Sequence, residues 1–350
     1  GDACMTTHKE RQLAAIGHEV SDRVSADAIW IYNADAVGEF LGVEPKEVSG
    51  RLGLDGRMVI LEYEDEFSTA MDDVNRVKWS TTVIDGANAG YGTTRTYPLA
   101  GADSVSAVEA YDWPAADKFN YDRAFASARK YGETHAVRGP LWLPLFCRAA
   151  DLFGLEDALV ALIDRPAVME AALQRIADIT VEVIERLCDG CSDSMPILCL
   201  GDDFATQRGM MFSPELWRKF VKPHLARMFE VGKKRGKHIW FHSCGNITDV
   251  LGDLIDIGAD VWETVQLHTL PMTPEVLKRE YGKHVTFFGG INTQKLPFAA
   301  PDEIRAEVRR TIEVLGKDGG YICGPDHTIN LDVPAANAVA LYEAIGSFTA

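Results

Sequence analysis

The chain lacks an apolar run of about eighteen residues, the length a helix needs to cross a bilayer, so no membrane span is expected. It lacks the order of a signal peptide as well, since GDACMTTHKERQ has no basic stretch followed by an apolar one. Met5 is expected to be the natural start, and the residues before it are left out of the fold reading. Basic residues are in short supply. A formal net charge of −17 argues for a soluble chain and against a nucleic-acid or anionic-membrane surface. The seven cysteines lack the even number and regular spacing of a disulfide framework, which points to a reducing cytoplasm where thiols are free to bind metal or do chemistry. A flexible linker, an internal repeat and a block of like charge are also missing, so the 350 residues read as one elaborated domain.

What is present is a large apolar fraction, 47% of residues, arranged in alternating short and long segments. HAVRGPLWLP (135–144), PILCLGDD (196–203), KHIWFHSC (237–244), ADVWETVQ (259–266), HVTFFGGIN (284–292) and GYICGPDH (320–327) read as strands. Helical patterns fill 165–189, 214–235, 247–257, 273–281, 301–316 and 334–348. Ser213, Pro214 and Glu215 make a helix start, and TPEVLK and PDEI open helices in the same way. Nearly continuous apolar strands separated by helices mean a parallel sheet covered by helices. No glycine-rich dinucleotide fingerprint follows an early strand, and polar residues gather at many strand ends. Both features favour a closed (β/α)8 TIM barrel over an open sheet. Residues 131–350 are expected to form the barrel core. Residues 1–130, with helical patterns at 7–19 and 36–43 and β-like runs at 57–63, 80–84 and 93–98, are expected to form an N-terminal α+β extension packed on it.

Within FHSCGN (241–246), His242 and Cys244 are two apart at a strand end, a spacing that lets both side chains converge on one ion. Glu263 and Cys323 stand near the ends of later strands, and a barrel would bring all four to one rim. Thiolate, imidazole and carboxylate together suit zinc, and a displaceable carboxylate would leave a position for substrate. Buried cysteine is common in cores, so the H-x-C pair alone is better read as a strand end, and it is Cys323 and Glu263 at matching strand ends that turn the reading toward metal.

The chain resembles the uroporphyrinogen decarboxylase superfamily nearly end to end, and within it the zinc- and corrinoid-dependent methyltransferases. The resemblance is carried by THKERQLAAIGHEVSDRV (7–24), WSTTVIDGANAGYGTTRTYPLAG (79–101), GDDFATQRGMMFSPELWRKFVKPH (201–224), FHSCGNITDVLGDLIDIGADVWETVQ (241–266), FFGGINTQKLP (287–297) and GGYICGPDHTINLDVPAANAVALYEAI (319–345). It implies that the H-x-C…C zinc motif of the methyltransferase branch falls on His242, Cys244 and Cys323, with Glu263 where related zinc methyltransferases have a carboxylate ligand. It further implies methyl transfer between a small donor and a cobalt corrinoid (a cobalamin) on a separate corrinoid-binding protein. The donor would be a methoxylated aromatic, methanol or a methylamine-type compound. The reverse role, methyl-corrinoid to a thiol or folate, stays open, as does a homodimer. A metal-free decarboxylase is the rival reaction, but the arginine-rich RQAGR stretch of the decarboxylases is absent, RQLAAIG (11–17) being part of a helix. A third reading is a corrinoid- or metal-binding protein without turnover.

Further candidates lie at the remaining strand ends. Asp202 or Asp203 is expected to hold substrate or orient a metal ligand, the alternative being a turn cap. Arg138, Gln207, Gln266, Asn292 and His327 are expected to contact substrate, each with a structural alternative: Arg138 pairing with a core carboxylate, Gln266 and Asn292 satisfying loop backbone, His327 capping GPDH. Cys188 and Cys191 form a CxxC at a predicted helix C-terminus, the wrong end for a reactive thiol. Trp142, Trp217, Trp240 and Trp262 are expected in the core, unless one stacks on an aromatic substrate. GANAGYG (86–92) is assigned to a turn.

Overall fold

The computed structural model describes residues 6–61, 74–77, 80–84 and 92–348, with backbone alone at 74–77, 80–84 and 92–96. The expected start at Met5 and all but the last residue of GANAGYG lie outside these residues.

Eight parallel strands form a nearly closed barrel: β1 (Ser25–Ala26), β2 (Gly56–Met58), β3 (Ala136–Pro140), β4 (Ile197–Gly201), β5 (His238–His242), β6 (Val261–Val265), β7 (Thr286–Ile291) and β8 (Tyr321–Pro325). Pairing runs in chain order from β2 round to β8, and β8 pairs with β1. The seam between β1 and β2 is bridged by the Asp55 amide donating to Ala26 O (2.8 Å). The barrel therefore does not start at residue 131. Its first two strands come from the region expected to be an extension: β1, at two residues, is too short to carry a periodic signal, and β2 overlaps the start of the β-like run at 57–63. The antiparallel strands Val74–Val77, Ser80–Ile84 and Gly92–Thr96 form a separate small sheet between β2 and β3.

Strand alternation sorts the side chains into two layers. Ala136, Ile197, Cys199, Trp240, Val261, Phe288 and Ile322 make one cluster, one or two from each of six strands, which fills the lumen. Their strand neighbours Val137, Leu198, Leu200, Ile239, Phe241, Trp262, Phe287, Tyr321 and Cys323 join the larger cluster under the helices. Those helices include Phe146–Phe153 and Pro166–Cys191 after β3, and Pro301–Leu315 after β7. The stretch expected as one helix at 214–235 is two, Pro214–Phe220 and Lys222–Lys234. Pro223 explains the break, because it offers no amide and disfavours helical backbone before it. Cys188 and Cys191 end Pro166–Cys191, where burial pushes their thiols up to about 12 and about 11. That is an inert pair. Among the described residues no helix is long and apolar enough to cross a membrane.

The helix His8–Ile16 closes the N-terminal end of the barrel. Thr7 caps it in a box with Glu10, and its last residues, Ala15 and Ile16, enter the lumen cluster. Thr286, first in β7, donates its hydroxyl to Ala15 O (3.1 Å). The anchor is Asp55, which is fully buried. It accepts from Arg11 Nη1 (2.8 Å), both terminal nitrogens of Arg23 (2.9 Å each) and the Ala26 amide (2.9 Å), with His8 Nδ1 at 2.7 Å. Burial works to raise its pKa, but the His8 bond and the Arg23 and Arg11 charges outweigh it and hold the carboxyl below its usual range. A depressed carboxyl stabilises the fold fully above about pH 4, the unfolded value, and the contribution is lost as pH falls through the folded value. Asp55→Ala is expected to cost about 3–5 kcal/mol at neutral pH by leaving Arg23 without its carboxylate and Arg11 with Asp22 alone. It should also lose less stability than wild type on going below about pH 4, as read by urea unfolding at both pH values.

Candidate metal centre at the barrel mouth

β5 and β6 pair in parallel with His242 opposite Glu263, and alternation turns both side chains into the lumen at its C-terminal end. His242 Nδ1 lies 2.6 Å from Glu263 Oε1. An ionised Glu263 only accepts, so Nδ1 carries a proton, and Nε2 is the nitrogen turned toward Cys244. Cys244, two residues past the strand, places Sγ 3.5 Å from that Nε2. His327, on the loop after β8, completes a group whose three ligand atoms all lie within 4.8 Å of one another.

The loop that carries Cys244 is held from three sides. Asp203 Oδ1 accepts the Cys244 amide (2.7 Å), and Gln266 Oε1 accepts the Gly245 amide (2.9 Å). Gly245 has φ +82°, and a Cβ there would stand 2.5 Å from Thr206 O, so only glycine fits the turn. The third support comes from β6, which bulges after Glu263 at Thr264. A φ of +70° is strained for a β-branched residue, and the Thr264 hydroxyl offsets that strain by donating to Ser243 O (2.6 Å).

Charge in the site is tightly coupled. Burial alone would depress the His242 pKa, but the Cys244 thiolate and Glu263 hold it well above the usual histidine value. Burial raises the Cys244 thiol, and His242 opposes the rise. Burial and then the His242 charge push His327 down to about 4, so it is neutral with a lone pair to give. Imidazole, thiol and imidazole converge, with Cys244 Sγ and His242 Nε2 in contact. This is a donor set that a soft-to-borderline divalent cation such as zinc satisfies.

Other sequence candidates fall elsewhere. Cys323 is not in the group: Ile322 faces the lumen, so Cys323 faces the helices, where its thiol meets Tyr321 and burial pushes it up to about 12. Glu263 stands behind His242 and is absent from the three-ligand group, both its oxygens being used, one on His242 and one on the Trp240 indole N–H. Asp202 points away from the mouth. It accepts the Phe146 and Cys147 amides (2.8 and 2.9 Å) and so caps Phe146–Phe153 from a different strand, while burial raises it to about 7. Asp203 is the one at the site, with Oδ1 3.8 Å from His242 Nε2. Arg138 is inside the barrel but committed to Asp27 and Ala28 O (2.7 Å). Asn292 closes an Asx turn onto Gln294 (2.9 Å), and Gln207 is exposed in the turn after Ala205–Thr206.

Three of the four tryptophans named above are buried. Trp142, at 39% exposure, is not, and it stands edge-on to His242 with centroids 5.6 Å apart. A Cβ on Gly201 would come within 2.9 Å of its ring, so the small residue at the end of β4 makes room for the overhang. The sequence signal for Trp142 was its position just past a strand end.

A (β/α)8 barrel with its polar cluster at the C-terminal mouth has the site arrangement of a TIM-barrel protein. A family model described as uroporphyrinogen decarboxylase (URO-D) matches residues 145–348, more than half of the chain, and the chain belongs to that family. Among solved structures, a methyltransferase from Methanosarcina mazei is similar over 98% of this chain and 99% of its own, at 19% identity and a TM-score of 0.71. The apo form of 3-keto-D-glucoside 4-epimerase, YcjR, from E. coli matches 72% of this chain and 95% of its own at 11% identity, but its TM-score of 0.37 carries no weight. No curated protein matches the sequence.

Asp202→Ala is expected to destabilise the fold by about 1–3 kcal/mol, because two buried amides lose their acceptor. Urea unfolding measures it, and metal binding by the folded variant should be unchanged.

Proposed function

We propose that the protein is a zinc-dependent methyltransferase moving a methyl group between a small donor and a cobalt corrinoid carried by a partner protein. The convergence of His242, Cys244 and His327 at the mouth carries the reading. Family membership and the fold shared with a methyltransferase support it. His242, Cys244 and His327 would hold the metal, leaving one position of a tetrahedral set for substrate. The ion would supply Lewis acidity at the heteroatom whose bond to the methyl group breaks or forms.

The chain's own residues do the rest. Glu263 keeps the proton on Nδ1 and the Nε2 lone pair free. Asp203 and Gln266 hold the Cys244–Gly245 backbone, and Trp142 gives the pocket a flat apolar wall against His242. Decarboxylation of a tetrapyrrole would need free cations at the mouth. Arg11 and Arg23 are instead spent on Asp55 at the other end of the barrel, and Arg138 is spent on Asp27.

The rim suits a large partner. Trp30, Ile60, Trp142, Phe298 and Leu331 are exposed, and they stand on the loops after β1, β2, β3, β7 and β8. These strands adjoin in the barrel, so apolar side chains stand on neighbouring loops at its C-terminal end, where a macrocycle and the protein that carries it would approach.

Elemental analysis of protein supplied with zinc is expected to find about one ion per chain. Cys244→Ser and His327→Ala should lose it, and Cys323→Ser should retain it. No metal in folded wild-type protein, or loss in Cys323→Ser alone, overturns the site as drawn. Phe298→Glu with Leu331→Glu should leave metal content unchanged and raise the KM for the corrinoid protein by about 10-fold, with kcat nearly constant.

A further inference from the structure

We infer that Trp240 and Arg138, neither of which reaches the mouth, are positioning residues for His242. They lock Glu263 in one orientation and thereby fix the tautomer and aim of the imidazole. The inference rests on reading the mouth as a metal site.

Glu263 is completely buried, and a carboxylate held at one oxygen can still swing about its terminal bond. Here the swing is stopped. Oε1 faces His242 Nδ1 at 2.6 Å, while Oε2 accepts the Trp240 indole N–H. Trp240 is itself wedged in the lumen against Phe288, with ring centroids 5.2 Å apart. Above its other contacts lies the Arg138 guanidinium, 4.8 Å from the ring centroid. A cation on the ring face polarises the indole and strengthens its N–H as a donor. The guanidinium cannot drift, because Asp27 and Ala28 O hold its two terminal nitrogens, and Asp27 is held in turn by Gln12 Nε2 (2.6 Å) and the Ala28 amide (2.8 Å). A continuous column thus runs through the barrel from the N-terminal helix to His242, every member buried. The Arg138 guanidinium is attracted by both Asp27 and Glu263, so removing it would leave the two carboxylates without their shared cation.

The natural control is Trp262. It is as buried as Trp240 and precedes Glu263, but it faces the helix layer and its indole N–H has no partner. Trp262→Phe and Trp240→Phe therefore lose similar packing, and only Trp240→Phe cuts the column. Full-length protein and both variants are titrated with zinc against a chromophoric chelator, and their cobalt(II) forms are recorded in the visible range. Partners behind a metal-binding histidine are worth about 10–100-fold in affinity. Trp240→Phe is expected to weaken zinc binding by about 10-fold or more and to shift or broaden the cobalt bands, with Trp262→Phe unchanged in both. Metal-free wild-type protein gives a test that needs no variant: the imidazole ¹H–¹⁵N spectrum should show His242 protonated at Nδ1 with a slowly exchanging proton. A folded Trp240→Phe with wild-type affinity and spectrum, or a His242 protonated at Nε2 instead, overturns the inference. If wild-type protein takes up no metal, the metal reading falls, and the Nδ1 proton in wild type and Trp240→Phe alone decides whether the column positions His242.

Discussion

The mouth of this barrel depends on one buried bond, that between His242 and Glu263. Register alone puts the two residues opposite each other on adjacent parallel strands. Neither partner is replaceable alone, since a buried carboxylate without its partner is heavily penalised. The bulge at Thr264 lets β6 leave this register at once, so that Gln266 can reach back to the loop carrying Cys244. Strain at one residue is exchanged for an ordered amide at Gly245 and an ordered carbonyl at Ser243 beside the site.

Much of the architecture was legible in the sequence, and the exceptions have physical causes. Six strands announced themselves as apolar runs because they are buried on both faces. β1 did not, being two residues long, and β2 showed only as the start of the β-like run at 57–63 assigned to the extension; their membership in the barrel follows from pairing with β8 and β3. The proximity of His242 and Cys244 was readable from their spacing. That Cys323 would miss them was also in the sequence in principle, because Ile322 and Cys323 cannot both face inward. A thiol near a strand end drew attention away from that parity. His327 lies beyond the strand, where alternation stops, and only the loop's path brings it back over the mouth. Asp202 was beyond reach for another reason: its partners, Phe146 and Cys147, are more than fifty residues away.

The lumen is unusual in holding charge where most barrels stack aliphatic layers. Asp27, Arg138 and Glu263 replace part of that stack, and each is met by a specific partner rather than by water. Such groups add little net stability compared with well-packed apolar ones. What they supply is direction, because a polar column has one arrangement where a leucine layer has many.

The helix His8–Ile16 has a further consequence. It stoppers the barrel at the end opposite the mouth, with Ala15 and Ile16 inside the lumen. A small molecule at the base of the mouth would rest on packed side chains, and a large one seated above it would close it in. Under the proposed function, arrival and departure in such a vestibule would form a queue, set by the shape of the chain as much as by the chemistry at its floor.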